Sequence, residues 1–560
     1  MNRPATVTHS HDRVLVVTGA ATGTFANVRR IHIYRAARAP SHATFSPNRE
    51  RMFRGFFGRF GNRRAGSATA ARRISQPQAV TTPRPERPSS ELSAASIFAS
   101  AQKDPVQALI VTIPAHHAVS VEHVLAHVPP GPADMRDIIV ACAGQPADRA
   151  AIHAGLRSAD FLLAPAETSR EALRALAAKR AAGDILTFID GHAADAAPGH
   201  RTGPPMISII VPVSNAAPLL AETLRAVTES TIPRQAIEII VVDDASSDET
   251  VATAAEHADT LVRLRGGTRG AAYARNRGAE LANGEILLFL DTGVRVARGT
   301  LAQILQAFEA NPSEVAVSAC NDGSSGDGGI PTQYWNLLQQ YAAQTGGASP
   351  IHFNASCGAV RRAHFFDVGA FDEWRFRDTS VEDLELGARL GRAGHGVSLR
   401  PDVPFASVRP HGLRGVLLRS WRRSALLTRI LGYKSTKPLA GTHFVYALGH
   451  ARGVAAAACA ALIVSAGLQP TMLRLSIAGA SLAALVTMNW GLLSFLARRR
   501  GLTFAIAAAP LHWAAQIAVA GGAAAGWALR HTIGEPAPDA TTQAFAEVGV
   551  KMWPPVPRRQ

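Results

Sequence analysis

Polar and acidic residues recur at comparable places in the middle of this 560-residue chain. Ser214 and Asn215 follow MISIIVPV, Asp243 and Asp244 follow EIIVV, and Asp291 follows GEILLFL. Carboxylates and amides can accept hydrogen bonds from a base or sugar, and carboxylates can help hold a hard cation beside phosphate. Glu382 and Asp383 form a second acidic pair, where neighbouring charge can tune a carboxyl for taking a proton. Arg269, Arg275 and Arg277 lie between Gly266 and Gly278, and guanidinium groups suit phosphate by geometry as well as charge.

The elements that must position these residues show in the apolar pattern. Between Met206 and Arg295, three short β-branched runs alternate with helix-like sequence. This predicts parallel strands buried on both faces, with crossover helices between them. Ligands of such open sheets bind beyond the carboxyl ends of the strands, where the polar residues stand. Residues 105–200 repeat the pattern: ALIVTIPAHHA parallels ISIIVPVSNAA, DIIVACAG parallels EIIVVDDA, and AAGDILTFIDGHA parallels LANGEILLFLDTGV. In the first copy Cys142 and Ala143 replace the acidic pair, and His116 and His117 replace Ser214 and Asn215. Asp190 alone survives, opposite Asp291. Cys and Ala cannot replace carboxylates as acceptors, so the first copy is expected to be a degenerate, non-catalytic packing or docking half-domain. AAPGHRTGPP reads as the linker to the second.

The motifs from Met206 to about Lys434 together resemble a family 2 glycosyltransferase of the GT-A fold. IIVPVSN and VVDDASSDET are similar to its first two strands and loops. RGAAYARNRGAELANGEILLFLD resembles the helix and strand before its metal motif. NASCGAVRRAHFFDVGAFDE with SVEDLELGARLGRAGH resembles its acceptor half. The resemblance implies an α/β, Rossmann-like catalytic domain over 206–435, preceded by the degenerate half-domain and followed by an α-helical membrane region. It implies a nucleotide-sugar donor and a lipid-linked or glycan acceptor. Asp244 matches the position that bonds the base, with Asp243 beside it, and Pro212, Val213 and Asn215 line the nucleotide pocket. Arg275 matches an arginine near the phosphates, and Arg277 is expected on a solvated helix face. Asp248 either joins this loop or caps the next helix.

The family's Asp-x-Asp metal motif stands here as Asp291-Thr292-Gly293. One carboxylate remains to hold Mg2+ or Mn2+, which puts metal dependence in question. His411 matches a metal or phosphate contact, with an ordinary structural histidine as the alternative. Asp383 matches the catalytic base, with Glu382 beside it, and attack opposite the leaving diphosphate would invert configuration. The alternative for this pair is an acidic first helical turn favoured by the macrodipole. Leu386 and Leu390 share the side of Asp383, and Glu385 can pair with Arg389 at i,i+4.

The net charge of +16 and pI near 10.6 suit a polyanion or a cytoplasmic membrane face. The apolar C-terminal third favours the membrane, and no nucleic acid is expected. The four cysteines have no metal-ligand spacing and imply no disulfide framework. Residues 1–104 are Arg/Pro-rich and are expected to be disordered, with no signal peptide. VLVVTGAATG has the look of a Gly-rich nucleotide loop, but no βαβ unit follows it. MFRGFFGRFGNRR could touch anionic lipid or nucleic acid, or be a solvated arm.

LRGVLLRSWRRSALLTRIL reads as a basic amphipathic helix at a membrane interface, with a helix packed on the domain as the alternative. It lacks the Gln-x-x-Arg-Trp of processive family members, which argues against polymer synthesis. Apolar stretches at about 449–468, 475–497 and 502–529 approach the ~20 residues needed to cross a bilayer. Arg498, Arg499 and Arg500, with the earlier basic helix, place the catalytic domain on the cytoplasmic side of an inner membrane. Residues 532–560 form a tail beyond. Two rival readings are a polyprenyl-phosphate sugar transferase and a catalytically impaired scaffold for glycan assembly.

Overall fold

The computed structural model describes residues 13–19, 29–35, 107–113, 135–143, 159–190, 206–265, 267–325, 328–345, 353–373, 381–430 and 443–534. His116 and His117 lie outside them, as do residues 535–560 of the tail and most of residues 1–104. Where the sequence predicted no order, β1 (Arg13–Gly19) and β2 (Arg29–Arg35) pair as an antiparallel two-stranded sheet. Their runs VLVV and RIHIY are rich in the β-branched residues that fit a pleated surface. Antiparallel pairing also removes the βαβ context that a nucleotide loop after β1 would need.

The repeat seen in the sequence is a repeat in topology. Strands β3 (Gln107–Ile113), β4 (Met135–Ala143), β5 (Ala159–Ala164) and β6 (Ile185–Asp190) lie parallel in the order β6-β3-β4-β5. Strands β7 (Ile207–Val213), β8 (Ile237–Asp244), β9 (Thr260–Leu264) and β10 (Ile286–Leu290) follow the same order, β10-β7-β8-β9. The half-sheets join where β6 pairs antiparallel with β9, Leu186 opposite Leu261. The sheet extends past β10 through β13 (Cys357–Arg361), β12 (Ala316–Asn321), β14 (Val397–Ser407) and β11 (Val294–Val296), giving twelve mixed strands.

Two arginines lock the seam between the copies. Arg174, on α1 (Arg170–Arg180), donates to the carbonyls of Glu256 (3.3 Å) and Ala258 (2.7 Å) at the end of α3 (Thr250–His257). Arg263, on β9, donates to the carbonyls of Ala178 (3.3 Å), Ala181 (2.8 Å) and Gly183 (3.1 Å) at the end of α1. Each copy therefore supplies a cation to the other's helix C-terminus, where the last carbonyls lack intrahelical donors and the macrodipole favours positive charge.

Helices cover both faces of the second half-sheet. On one face α2 (Ala217–Thr228), α3 and α5 (Thr300–Ala310) pack through Leu220, Leu224, Ala255 and Ile304 onto Ile209, Val241 and Leu288. On the other, α4 (Ala271–Leu281), α7 (Arg362–Asp367) and α8 (Glu382–Arg392) pack through Ala279, Phe365, Leu386 and Leu390 onto Ile210, Val242 and Phe289. All eight residues of β8 are buried, as expected for a parallel strand covered on both sides.

The C-terminal third departs from three plain spans. Helix α10 (His443–Leu468) and α13 (Leu502–Thr532) contain spans long and apolar enough to cross a membrane. The middle stretch is α11 (Met472–Met488) and α12 (Trp490–Arg500), bent by 70° at Asn489, so up to three spans form if the bent pair counts as one. The break has a physical cause. Asn489 Nδ2 donates back to the Leu485 carbonyl (2.8 Å), and its Oδ1 accepts from Gln516 Nε2 (2.7 Å) while lying 3.1 Å from His512 Nε2. His512 Nδ1 in turn meets the hydroxyl of Tyr334 (2.8 Å), on α6 (Ile330–Thr345).

The basic amphipathic helix α9 (Leu413–Ile430) is packed closely against another helix. It runs alongside α13 in the same direction, with Trp421 against Gly521 and Gly522 and Ala425 against Gly526. Arg429 donates to the Gly534 carbonyl (2.8 Å). A Cβ on Gly526 would fall 2.0 Å from the Ala425 carbonyl oxygen, so this approach requires glycine.

Arg263→Ala should loosen the seam by about 1.5–3 kcal/mol, the range for hydrogen bonds made by a charged group. Hydrogen exchange should speed up in β6 and β9 while β10 keeps its protection.

Candidate active site

The carboxyl ends of β7, β8 and β10 meet at one edge of the sheet. Pro212 and Val213 close β7, and Ser214 Oγ donates to the Asp244 carbonyl (3.0 Å). Asn215 takes a left-handed φ of 47°, and its Oδ1 accepts from the Ser247 N–H (2.8 Å). The loops after β7 and β8 are thereby laced into one surface. Asp244 Oδ1 accepts the Arg269 N–H (2.7 Å) and Oδ2 the Gly270 N–H (2.8 Å), which anchors the start of α4. Asp243 follows the alternation of the strand to the opposite layer. Its Oδ2 accepts the Ser246 N–H (3.3 Å), and burial pushes its pKa up.

Asp248 accepts the N–H groups of Ala217 (3.3 Å) and Thr250 (3.1 Å), the first residues of α2 and α3. Of its two sequence readings, the structure shows the capping one, and the Thr250 hydroxyl holds the carboxyl below its usual range. Arg277 is not simply solvated, because it pairs with Glu280 (2.7 Å) and reaches buried Glu373 (3.5 Å).

The centre of the site is Arg275, on α4 and only 3 % exposed. Its Nη2 donates to Asp291 Oδ1 (2.6 Å) and its Nη1 to Glu382 Oε1 (2.8 Å). One guanidinium thus ties the end of β10 to the first turn of α8, with Glu382 lying 107 positions beyond Arg275. The Ser356 hydroxyl donates to the other Asp291 oxygen (2.8 Å). Burial raises the Glu382 pKa, and Arg275 opposes that shift. Asp383, the next residue, is half-buried, and its Oδ1 accepts the Leu384 N–H (2.8 Å). The two acids of the pair are therefore sorted, Glu382 into the ion pair and Asp383 to the half-exposed side of the helix. The i,i+4 pair of Glu385 and Arg389 forms as expected (2.7 Å).

Gly293 takes φ +86°, and its N–H donates to the Thr223 hydroxyl (2.9 Å). An added Cβ there would stand 3.5 Å from the Arg409 Cβ. Arg409 Nη2 donates to the Thr292 carbonyl (3.3 Å). His411 is buried against Trp335, with ring centroids 5.7 Å apart, and exchanges hydrogen bonds with Thr332 through its backbone. Burial, Arg419 and Arg409 push its imidazole down to about 4. Arg419, from α9, lies over the other part of this wall, 5.5 Å from the Trp335 ring centroid.

This donor set does not fit a divalent cation held by the protein. Asp291 is already ion-paired with Arg275, Gly293 brings no ligand, and Arg409 and Arg419 add positive charge nearby. Among the described residues no group of three His, Cys, Asp or Glu side chains could hold a metal ion. Ser356, Arg409 and Arg419 were not singled out from the sequence for these positions. Their signals were the NASCG, RPHG and LRSWRRS segments, whose proximity to Asp291 only the fold creates. A cavity of 620 Å³ lined by Met206, Glu285, Phe308 and Arg361 lies at the opposite end of the strands, away from these groups.

Residues 208–369 match the family described as glycosyl transferase family 2. This stretch carries a family 2 glycosyltransferase domain. The match contains Asp243, Asp244, Arg275 and Asp291 and ends before α8. The chain is 29 % identical over 238 residues to validoxylamine A glucosyltransferase of Streptomyces hygroscopicus subsp. jinggangensis, covering 36 % of this chain and 54 % of that protein. It is 30 % identical over 216 residues to the pre-mycofactocin glycosyltransferase of Mycobacterium tuberculosis, covering 36 % and 42 %. The chain thus spans about half the length of the curated relatives it matches. Among solved structures it is similar to the mannosyltransferase PcManGT from Pyrobaculum calidifontis in complex with GDP-Man and Mn2+. That similarity has 26 % identity and a TM-score of 0.41 over 57 % of this chain and 88 % of the other.

Two predictions follow from the buried charges. Arg275→Met strands Glu382 without a partner and should destabilise the domain by about 3–5 kcal/mol, read by thermal unfolding. Glu373 accepts from Asn276 Nδ2 (2.7 Å), and burial pushes its carboxyl up to about 7. A raised carboxyl binds its proton more tightly folded than unfolded, so its contribution is full below its ordinary value and is lost as pH rises through about 7. Glu373→Gln should flatten the fall in unfolding temperature between pH 5 and pH 8 by roughly the share this one group supplies.

Proposed function

We propose that this chain is a membrane-anchored, inverting glycosyltransferase. It moves a sugar from a nucleotide-diphosphate sugar to a hydroxyl acceptor in cell-surface glycan or glycolipid assembly. The observation that carries the reading is the Arg275 clamp. It holds the strand-end acid of the donor half and the first turn of the acceptor half in one buried unit, with Asp383 left half-exposed beside it.

Transfer of this kind needs a grip on the nucleotide, neutralisation of the departing diphosphate, and a base for the acceptor hydroxyl. Pro212, Val213, Asn215 and the Asp243–Asp244 pair supply the nucleotide edge, since their loops are bonded together and Asp244 sets the loop that enters α4. Asp383 takes the proton of the acceptor hydroxyl, whose oxygen attacks the anomeric carbon opposite the diphosphate and inverts it. Glu382 is its positioning neighbour, fixed by Arg275. Asp291 acts through Arg275 and Ser356 to hold the floor of the site.

The membrane reading rests on α10, α13 and the bent pair α11–α12, with Arg498, Arg499 and Arg500 closing α12 on the cytoplasmic side of the inner membrane. The contact of α6 with His512 then keeps the catalytic domain against the bilayer, within reach of a lipid-linked acceptor.

Membranes containing the wild type should release a nucleoside diphosphate from one of the common nucleotide sugars when acceptor lipid is present. Asp383→Asn should lower that rate by about 10²–10⁴, the usual contribution of a general base, with donor binding kept. Normal membrane insertion with no turnover of any donor would leave the scaffold reading. Full turnover by Asp383→Asn would favour a phosphate acceptor, which needs no base.

A further inference from the structure

The position that would hold the second acid of a metal motif is occupied by something else. Gly293 turns with φ +86°, and the space beside its Cα is faced by Arg409, whose guanidinium is tethered to the Thr292 carbonyl (3.3 Å). From the other side α9 brings Arg419 over Trp335, the ring that also covers His411. Arg409 is exposed and Arg419 half-buried. Asp291 lies close enough to Arg419 for their charges to interact, yet both its oxygens are taken by Arg275 and Ser356. Arg275 is shared between Asp291 and Glu382, while neither outer arginine has a carboxylate ion pair among the described residues.

We propose that Arg409 and Arg419 bind the donor diphosphate directly and do there what a divalent cation would otherwise do. The proposal rests on the glycosyltransferase reading above. As the anomeric carbon–oxygen bond breaks, its electron pair leaves with the diphosphate, while the acceptor oxygen forms the new bond and its proton passes to Asp383. The oxygen that gains charge is the group a guanidinium fork fits best, through two parallel charge-assisted hydrogen bonds. His411 cannot share this work, because it is buried beside both arginines and stays neutral at physiological pH. The arrangement also places one phosphate-binding group on the helix that packs along α13 through Gly521, Gly522 and Gly526. Donor binding and the seating of the membrane helices are thus connected through α9.

The test is calorimetric binding of UDP, GDP, ADP and dTDP to the full-length protein in nanodiscs, in EDTA and in excess MnCl2. At least one nucleoside diphosphate should bind in EDTA with an affinity that Mn2+ leaves unchanged. Arg409→Gln and Arg419→Gln should each weaken it by about tenfold or more, the loss expected for one charge-assisted contact. Arg409→Lys should recover part of the loss. Gly293→Asp, which sets a carboxylate against Arg409, should weaken binding in EDTA as well. Arg409 is exposed, so its variants test binding rather than folding, and unchanged thermal unfolding checks this. Binding that requires Mn2+ and ignores both arginine substitutions would overturn the proposal and leave the glycosyltransferase reading standing. Failure of every nucleoside diphosphate to bind in either condition would overturn both.

Discussion

A single buried guanidinium carries the organisation of the catalytic half. Arg275 has almost no access to water, and two carboxylates from distant parts of the chain converge on it. Removing either acid would leave charge in the interior, and removing the arginine would leave an acid there, each a costly state. The geometry of β10, α4 and α8 is therefore fixed jointly rather than element by element. Asn276, the next residue on α4, extends the same tie: it bonds the backbone of Phe371 on both sides (2.9 and 3.0 Å) and the carboxylate of Glu373. One helix turn thus joins the strand-end loops to the segment leading into α8 by polar contacts, over the aromatic packing of Phe289 with Phe353, Phe365 and Phe371.

The same arrangement governs the electrostatics of the site. Once Arg275 has consumed Asp291 and Glu382, the acids near the strand ends no longer form a free negative pocket. Asp244 and Asp248 spend their oxygens on backbone N–H groups, and Asp243 is buried. What remains turned toward the opening is largely positive, supplied by Arg409 and Arg419. A surface of that sign suits a diphosphate better than a cation. Its connection to the C-terminal helices is equally direct, because α9 packs on α8 through Leu427 and on α13 through its close glycine contacts.

The first copy is joined to the second by physics rather than by resemblance alone. Antiparallel pairing of β6 with β9 closes an edge that each half-sheet would otherwise expose. The reciprocal arginines then satisfy two helix ends at once. The half-domain that carries Cys142 and Ala143 where the second carries Asp243 and Asp244 has this structural work, which does not depend on binding a ligand.

Much of this was legible in the order of residues. Strands buried on both faces announce themselves as continuous β-branched runs, so β7, β8, β10 and the repeat over β3 to β6 could be read directly, as could the apolar C-terminal third and the ion pair of Glu385 with Arg389. These are local or periodic properties, set by backbone geometry and side-chain spacing. The division of labour within each acidic pair could not be read that way. Adjacent residues on a strand or helix point in different directions, and only the packed structure shows that Glu382 meets Arg275 while Asp383 stays half-exposed, or that Asp248 caps helices. The bend at Asn489 depends on His512 and Gln516, and the docking of α9 depends on glycines nearly a hundred residues away. The sequence by itself determined which elements form and which residue types stand at their ends. Tertiary structure decided which charges find each other, because burial makes that pairing a property of the whole fold and not of any one segment.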